Sequence, residues 1–314
     1  MGASNLRFAR ADLRGRTESI AAERLHPEGG PEGVIAQISS GIEALGKRKR
    51  SRFSSPAAIA VGVPSAVDPR TGRVSFANNL PGWRDIDLRG AIRRHFNVPV
   101  VVDNDANMAA LGERWRGTAR RAPNFIFVAL GTGIGSGIVV NGQLCHGRTG
   151  NAGELYRLNV DWPRWDETFP DTGYFEFQVA GLGIAAAGRR ALGGRRQRGG
   201  ARDLVADRDA QFVFEAFRSG NPRARAVLVR AFTILGVGVA DLVSVLDPDL
   251  IVLGGGLTRG APELMLKTVE RVLKRIHPDI APSVRLSTLG DRAQLYGAIS
   301  AALDMINGRS GSGS

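Results

Sequence analysis

The sequence predicts an α/β protein, because short apolar runs typical of buried strands alternate with segments of helical periodicity. The clearest run, at residues 98–102, leads through Asp103, Asn104 and Asp105 into a predicted helix at residues 106–115. A second apolar run, at residues 124–130, enters a glycine-rich turn before another strand. Carboxylates thus stand between a strand and a helix, where open α/β sheets bind ligands.

The glycine-rich turn has the spacing GxGxGxG and joins two strands rather than a strand and a helix. This excludes the dinucleotide fingerprint GxGxxG, which opens a helix, and the P-loop GxxxxGK[ST], which is absent from the sequence. Glycines at Gly131 and Gly133 still allow backbone N–H groups and the Thr132 hydroxyl to approach phosphate oxygens. A tight turn without a ligand remains the alternative.

The other elements follow in order along the chain. Residues 2–15 indicate a small-residue turn, a strand and a second tight turn, which resembles the later glycine hairpin and suggests two copies of one unit. Asn221 and Pro222 form a good start signal for a long helix. Strands are also predicted at residues 57–63, 138–140 and 250–253, and helices at residues 31–47, 88–96, 222–246, 261–276 and 293–306.

Composition limits the classes of protein that fit. The chain has 314 residues, enough for two domains, with one cysteine and four histidines, so we expect no disulfide and no metal-ligand cluster. No apolar stretch of about 20 residues and no signal peptide stand out, which predicts a soluble, cytoplasmic protein without a membrane span.

The net charge of +12 raises the question of nucleic-acid binding. The basic residues concentrate at residues 47–50 and 188–202, without interleaved aromatics or a DNA-reading motif. We therefore interpret both stretches as solvated surface and expect no nucleic-acid partner.

Seven segments, taken together, resemble a known family. In chain order they are GVPSAVDPRTG, FANNLPGW, VVVDNDANMAALGE, LGTGIGSGIVVNGQL, GNAGE, DPDLIVLGGGL and LGDRAQLYGAISAAL. This pattern resembles the ROK family of bacterial sugar kinases and sugar-responsive repressors, and within it the glucokinase-like kinases. The resemblance implies the two-lobed, actin-like ATPase (ribonuclease H-like) fold with a ligand cleft between the lobes, and a homodimer. The lobes would be residues 1–107, completed by helix 293–306, and residues 108–292, with residues 307–314 as a flexible tail.

The resemblance also implies a hexose kinase that uses ATP and Mg²⁺ and phosphorylates glucose at its 6-hydroxyl. Asp105 would be the general base, because a carboxylate near the attacking hydroxyl accepts its proton. The implied sugar-binding residues are Asn79, Asn104, Asp105, Glu154 and Glu176. The implied ATP-binding residues are Ser4, Gly131, Thr132, Gly133, Gly254, Gly255 and Gly256.

The sequence departs from the family pattern in two places. Residues 2–5 match the end of the family's Asp-x-Gly-Gly-Thr phosphate motif, but the aspartate that begins this motif is missing, because Met1 is the first residue of the sequence. Mg²⁺ would then be held chiefly by ATP and water. A start of the chain that is set too late would explain the missing aspartate, and so would degeneration to a sugar-binding sensor or pseudokinase, which is the alternative function. Arg157 replaces the family histidine, and residues 160–176 lack the family's zinc-binding cysteines, so we expect no structural zinc. Apolar contacts of Trp162, Pro163, Trp165 and Phe169 would replace the metal.

Overall fold

The computed structural model describes residues 5–47, 55–77, 80–167, 173–193 and 210–308. The chain divides into two compact units. The first unit comprises Met1–Arg121, Leu144–Ala152 and Asp291–Ser314, and the second comprises Ala122–Gln143 and Gly153–Gly290. The predicted lobe boundary at residue 107 falls inside a helix, Asp105–Arg116, that belongs as a whole to the first unit.

The first unit combines strand pairs with four helices. Its pairs are an antiparallel hairpin of β1 (Asn5–Ala11) and β2 (Thr17–Arg24), a parallel pair of β3 (Ile59–Val63) and β6 (Val100–Asn104), and an antiparallel pair of β4 (Val74–Phe76) and β5 (Arg84–Ile86). Its helices are α1 (Gly30–Gly46), α2 (Leu88–Phe96), α3 (Asp105–Arg116) and α9 (Ala293–Ile306). A continuous apolar core lies among the β3–β6 pair, α1 and α2.

The second unit is built on a mixed sheet in the order β11-β10-β7-β8-β9. The strands are β7 (Phe125–Leu130), β8 (Ile134–Val140), β9 (Gln143–Leu144), whose last residue passes into the first unit, β10 (Leu250–Gly254) and β11 (Ser283–Leu286). Its helices are α4 (Tyr174–Val179), α5 (Gly181–Leu192), α6 (Gln211–Arg218), α7 (Pro222–Leu246) and α8 (Pro262–Ile276). Strands β7, β10 and β11 are parallel, so their carboxyl ends share one edge, while β8 returns antiparallel to β7.

Local capping explains why several helices begin where the sequence predicts. The Asn221 side chain accepts hydrogen bonds from the backbone N–H groups of Arg223 and Ala224 at 2.9 and 3.3 Å, and Pro222 occupies the first helical position of α7. Asp87 caps α2 in the same way by accepting from the Gly90 N–H group at 2.9 Å. The predicted bounds of α2, α7 and α9 are confirmed.

One expectation requires correction. Within the described residues, α7 is a 25-residue helix long and apolar enough to cross a membrane, whereas no such stretch is expected from the sequence. Half of its most apolar window is buried inside the protein, as in the core helix of a globular unit. In the basic stretch at residues 188–202, Arg189 is partly buried and Arg190 is exposed, while residues 194–202 lie outside the described residues.

Candidate functional site

In the first unit, the polar residues after β6 form a tightly bonded turn at the start of α3. Asn104 is the N-cap: its side-chain oxygen accepts from the N–H groups of Ala106 and Asn107 at 2.7 and 3.3 Å. Its side-chain amide donates to the Ser65 carbonyl, which follows β3, at 3.1 Å. The predicted sugar-binding amide therefore also fixes the helix start and joins the carboxyl ends of the two parallel strands.

Asp105, the predicted base, occupies the first position of α3. Desolvation by burial raises the pKa of its carboxyl to about 6, although the Ala106 N–H group and the side chain of Gln294 favour the ionised form. Gln294 Nε2 donates to Asp105 Oδ2 at 3.3 Å. A carboxylate with a pKa near 6 is ionised at neutral pH yet more basic than an ordinary aspartate, which suits a general base.

Gln294 reaches Asp105 because α9 packs very closely on α3. A Cβ at Gly112 of α3 would lie 2.1 Å from the Ala293 carbonyl oxygen, and a Cβ at Gly297 of α9 would lie 1.5 Å from the Met108 carbonyl oxygen. Only glycine permits this backbone approach. The terminal helix therefore supplies a hydrogen-bond donor to the candidate base within the same unit.

Asp103, directly before Asn104, stabilises the turn through hydrogen bonds to Asn104 and Asn107. It is 7% exposed, and its Oδ1 accepts from the Asn104 N–H group at 2.7 Å and from Asn107 Nδ2 at 2.8 Å. Its Oδ2 lies 2.7 Å from Nε2 of His146, in the segment Leu144–Ala152 of the first unit. This pairing raises the pKa of His146 above its usual value, against the opposing effect of burial.

In the second unit, two glycine turns follow the carboxyl ends of the adjacent parallel strands β7 and β10. The pairing of Ala129 with Gly254 brings the turn at Gly131–Gly133 beside the one at Gly254–Gly256. Gly255 has φ +92°, and a Cβ there would lie 2.3 Å from the Leu130 carbonyl oxygen. Backbone geometry thus joins the two turns that the family resemblance assigns to ATP.

Packing explains some of these glycines but not all of them. A Cβ at Gly254 would lie 2.6 Å from the Phe127 ring, and one at Gly133 would lie 2.5 Å from the Glu176 carboxylate. A Cβ at Gly131 or Gly256 would meet no other atom within 4 Å, and neither has a positive φ. The fold itself does not require glycine at position 131 or 256. Thr132, which lies between Gly131 and Gly133, is exposed. The open backbone at both turns fits the close approach of a nucleotide.

Glu176, a predicted sugar-binding carboxylate, lies in α4 and contacts the glycine hairpin. Its Oε2 accepts from the Ile134 N–H group at 2.9 Å. Burial raises the pKa of Glu176, and this hydrogen bond partly opposes the rise. The carboxylate of Glu176, a predicted sugar-binding residue, is therefore held by a backbone N–H group that directly follows the predicted phosphate turn.

Glu154 and Arg157 lie in the same unit. Glu154 directly precedes the short helical turn Leu155–Arg157, and Arg157 is the last residue of that turn. Glu154 is partly buried, whereas Arg157 is exposed and places its guanidinium 5.0 Å from the centre of the Tyr156 ring. The adjacent Gly153 has φ +85° and approaches Ser136 of β8, whose hydroxyl donates to the Gly153 carbonyl at 2.8 Å.

The segment before α4 is held differently from what the sequence suggests. Trp165, expected in an apolar cluster, is 76% exposed, while Phe169 and the Trp162 side chain lie outside the described structure. Instead, the Tyr174 hydroxyl donates to Asp161 at 3.2 Å, and the Arg164 guanidinium lies 5.5 Å from the Tyr174 ring centre. Arg164 also pairs with Glu167. Across the described residues, no group of three or more histidine, cysteine or carboxylate side chains could hold a metal ion.

The structure thus groups the predicted residues by unit. Asn104 and Asp105 meet in the first unit, and in the second unit the two glycine turns meet and Glu176 contacts one of them. Ser4 and Asn79 lie outside the described residues. Sequence reasoning noted Asp103 as a carboxylate after the strand but gave it no role. It missed Gln294 and His146, and only the glycine spacing on α3 and α9 could have indicated Gln294.

A cavity of about 650 Å³ lies in the second unit between α5 and α7. Its lining includes Arg164, Arg190, Arg223 and Arg230, but none of the predicted site residues. The candidate site is therefore identified by its chemistry and not by cavity size.

This chain is similar to known proteins in sequence and in structure. A sequence profile of the ROK family matches residues 1–305. A glucokinase from Halalkalibacterium halodurans is 32% identical over 83% of this chain and 82% of its own. The solved structure of a ROK family glucokinase from Streptomyces griseus, in complex with glucose and AMPPNP, matches 96% of this chain and 97% of its own with a TM-score of 0.78 and 27% identity.

A xylose repressor from Caldicellulosiruptor bescii is also similar, with 27% identity over 79% of this chain. The match spans 63% of the repressor's length. The fold is therefore the α/β, two-lobed actin-like ATPase fold, and the kinase relatives support a sugar kinase.

Proposed function

The chain belongs to the ROK family, and from this premise we propose that it is an ATP-dependent hexose kinase. It transfers the γ-phosphoryl group of ATP to the 6-hydroxyl of glucose or a closely related hexose. The observation that carries this proposal is the environment of Asp105, a carboxylate at a helix start with a pKa of about 6 and a hydrogen-bond donor on one oxygen.

In the proposed mechanism, Asp105 Oδ1 or Oδ2 accepts the proton of the attacking hydroxyl as the oxygen bonds to phosphorus. Gln294 orients the carboxylate through its Nε2 donor. Asn104 fixes the backbone on which Asp105 stands. Phosphoryl transfer needs positioning and charge neutralisation more than covalent chemistry, so a rigid turn of this kind is well suited to it.

ATP fits the second unit's glycine turns. Gly131 and Gly256 leave the backbone open, and the exposed Thr132 offers a hydroxyl, as phosphate oxygens require. ATP brings Mg²⁺, which neutralises phosphate charge. Mg²⁺ usually keeps several waters and binds through one or two carboxylates together with substrate phosphates.

Asn79, Asn104, Glu154 and Glu176 are the proposed sugar contacts, because amide and carboxylate groups suit the hydroxyls of a neutral polyol. We place the reaction in the cytoplasm, where ATP is available, and propose a homodimer. Neither nucleic acid nor membrane is a proposed partner.

The experiment is a coupled assay of the purified protein with Mg-ATP and a panel of hexoses. We expect glucose or a close relative to be phosphorylated, and Asp105→Asn to reduce kcat about 10²–10⁴-fold while glucose still binds, because the amide keeps the shape but cannot accept the proton. Wild-type turnover in Asp105→Asn would contradict the base assignment.

A sugar-binding sensor is the second candidate function. It is favoured by the similarity to a xylose repressor, which shows that chains of this kind also occur in regulators. Hexose binding by calorimetry without phosphoryl transfer to any hexose tested would replace the kinase proposal with this one.

A further inference from the structure

We propose that His146 is a positioning residue for sugar binding, and that its ion pair with Asp103 fastens the segment Leu144–Ala152 to the end of β6. This inference rests on the proposed function, because it concerns affinity for the sugar substrate. It adds a residue that touches neither the reacting atoms nor the nucleotide.

Both carboxylate oxygens of Asp103 have hydrogen-bond partners in this part of the structure. Its Oδ2 lies 2.7 Å from His146 Nε2, and its Oδ1 already accepts from the Asn104 N–H group and from Asn107 Nδ2. A carboxylate that is 7% exposed requires such partners, since a buried charge without them is costly. Loss of His146 would leave Oδ2 without its hydrogen-bond partner.

The segment Leu144–Ala152 has a second anchor of a different kind. Gly150 has φ +77°, and a Cβ there would lie 1.9 Å from the Val67 carbonyl oxygen, so the segment packs backbone to backbone at this point. The Ala152 N–H group donates to the His146 carbonyl at 3.2 Å. One end of the segment is therefore fixed by packing, while the other depends on a side chain that titrates.

The pair lies next to the part of the proposed sugar site that the first unit carries. Asp103 directly precedes Asn104 and Asp105 in the chain. Release of the segment would loosen the backbone at these residues without removing the base. Sugar affinity should therefore fall, whereas kcat at saturating sugar should change little.

The charge state of His146 gives the pair a pH dependence. Asp103, from β6, raises the pKa of His146, and among the described residues it is the one charged group that contributes to this shift. The charged ring is favoured in the folded state, so the pair is intact below the raised pKa. As the pH rises through that value, the ring loses its proton and the attraction to Asp103 weakens, so the dissociation constant for the sugar should increase.

The test measures glucose binding by calorimetry without ATP at pH 7 and pH 9 for the wild type, His146→Ala and His146→Gln. We expect wild-type affinity to fall several-fold between the two pH values, and His146→Ala to bind about tenfold more weakly at both, a loss of about 1.4 kcal/mol. His146→Gln can still donate to Asp103 but cannot titrate, so it should restore part of the affinity and lose the pH dependence. His26→Gln is the matched control, because His26 is an exposed histidine paired with Glu28 in the same unit.

Hydrogen exchange of residues 144–152 provides a readout that does not depend on sugar. Faster exchange in His146→Ala than in His26→Gln supports the fastening role, and equal exchange overturns it. If the wild type binds glucose and His146→Ala binds it equally well, this inference alone is wrong. If the wild type binds no glucose, the proposed function fails for glucose, and the inference about affinity fails with it.

Discussion

The two units build their candidate sites from different materials at corresponding places. Both sites follow the carboxyl ends of parallel strands, β3 and β6 in the first unit and β7 and β10 in the second. In the first unit, side chains do the positioning: Asp103, Asn104, His146 and Gln294 form hydrogen bonds around Asp105. In the second unit, the backbone does it, through glycines that either have no room for a Cβ or leave the backbone open.

This difference predicts how each half responds to perturbation. Side-chain hydrogen bonds and a raised pKa make the first half sensitive to pH and to substitutions that keep shape but change charge. In the second half, the backbone N–H groups of the glycine turns do not titrate, so a pH response is expected through Glu176, whose pKa burial raises. The turns themselves should be sensitive to one added methyl group. Measurements on the two halves can therefore test this difference.

The largest expected effect is the pH dependence that Asp105 gives to catalysis. The base must be ionised, and its pKa is raised to about 6, so kcat/KM for the sugar should fall about tenfold per pH unit below that value. The KM for ATP should change less over the same range, because the backbone N–H groups of the glycine turns do not titrate. An acid limb near the ordinary aspartate pKa of about 4 would contradict the assignment.

Gln294→Met gives the matched variant for this limb. The hydrogen bond from Gln294 lowers the pKa of Asp105, so its removal should move the limb to higher pH. Gly131→Ala, in the other half, should leave the limb where it is. A shift in both variants would show that the two halves are not separable in this way.

Asp105 should also cost the folded state stability. Its folded pKa of about 6 lies above the unfolded value of about 3.9, so the ionised form is disfavoured on folding, and the cost develops as pH rises through this interval. Asp105→Asn should therefore raise the free energy of unfolding at pH 7 by at most about 3 kcal/mol. The gain should disappear below about pH 4. Urea unfolding at both pH values measures it, and a destabilised variant at pH 7 would contradict the burial argument.

A smaller effect is expected from the open glycines of the second unit. Gly131→Ala and Gly256→Ala place a methyl group where the protein has no neighbouring atom, so the free energy of unfolding should change by no more than about 0.5 kcal/mol. The KM for ATP should nonetheless rise about tenfold, because the methyl group occupies space that the nucleotide needs. Steady-state kinetics measures the change in the KM for ATP, and thermal unfolding measures the change in stability.

Gly33→Ala is the control for these variants, because a Cβ at Gly33 in α1 also meets no atom within 4 Å and lies away from the glycine turns in sequence. It should leave the KM for ATP unchanged. An unchanged KM in Gly131→Ala and Gly256→Ala as well would mean that these turns are not the nucleotide site.

The sequence predicted those features that local physical chemistry determines. The Asn221 cap, Pro222 and the apolar periodicity were sufficient for α7, and the run at residues 124–130 with its glycines was sufficient for the β7–β8 hairpin. In each case the residues that support the prediction lie within or next to the predicted element. Helix α5, with the sequence GLGIAAAGRRAL, was missed because its glycines lower helix propensity, and packing against α4, α6 and α7 compensates.

The contacts around Asp105 could not be predicted because they join residues far apart in the chain. Gln294 is 189 positions from Asp105, and His146 is 43 positions from Asp103. His146 has no local signal, and the only signal for Gln294 is the glycine spacing on α3 and α9. Trp165 shows the reverse error, where an apolar side chain suggested a core contact and is exposed.

The smallest expected effect concerns the segment before α4, where side chains rather than backbone hold part of the second unit. Tyr174→Phe removes the hydrogen bond to Asp161 but keeps the ring beside Arg164, so it should lower the free energy of unfolding by about 1 kcal/mol. Trp165→Ala, at an exposed position, should change it by less than about 0.5 kcal/mol. A chelator should not change the melting temperature of either variant or of the wild type, because a structural zinc site needs about four ligands and the segment at residues 160–176 contains no cysteine or histidine. A fall in melting temperature on chelation, with zinc found by elemental analysis, would show that a metal and not the Tyr174 contacts stabilises this segment.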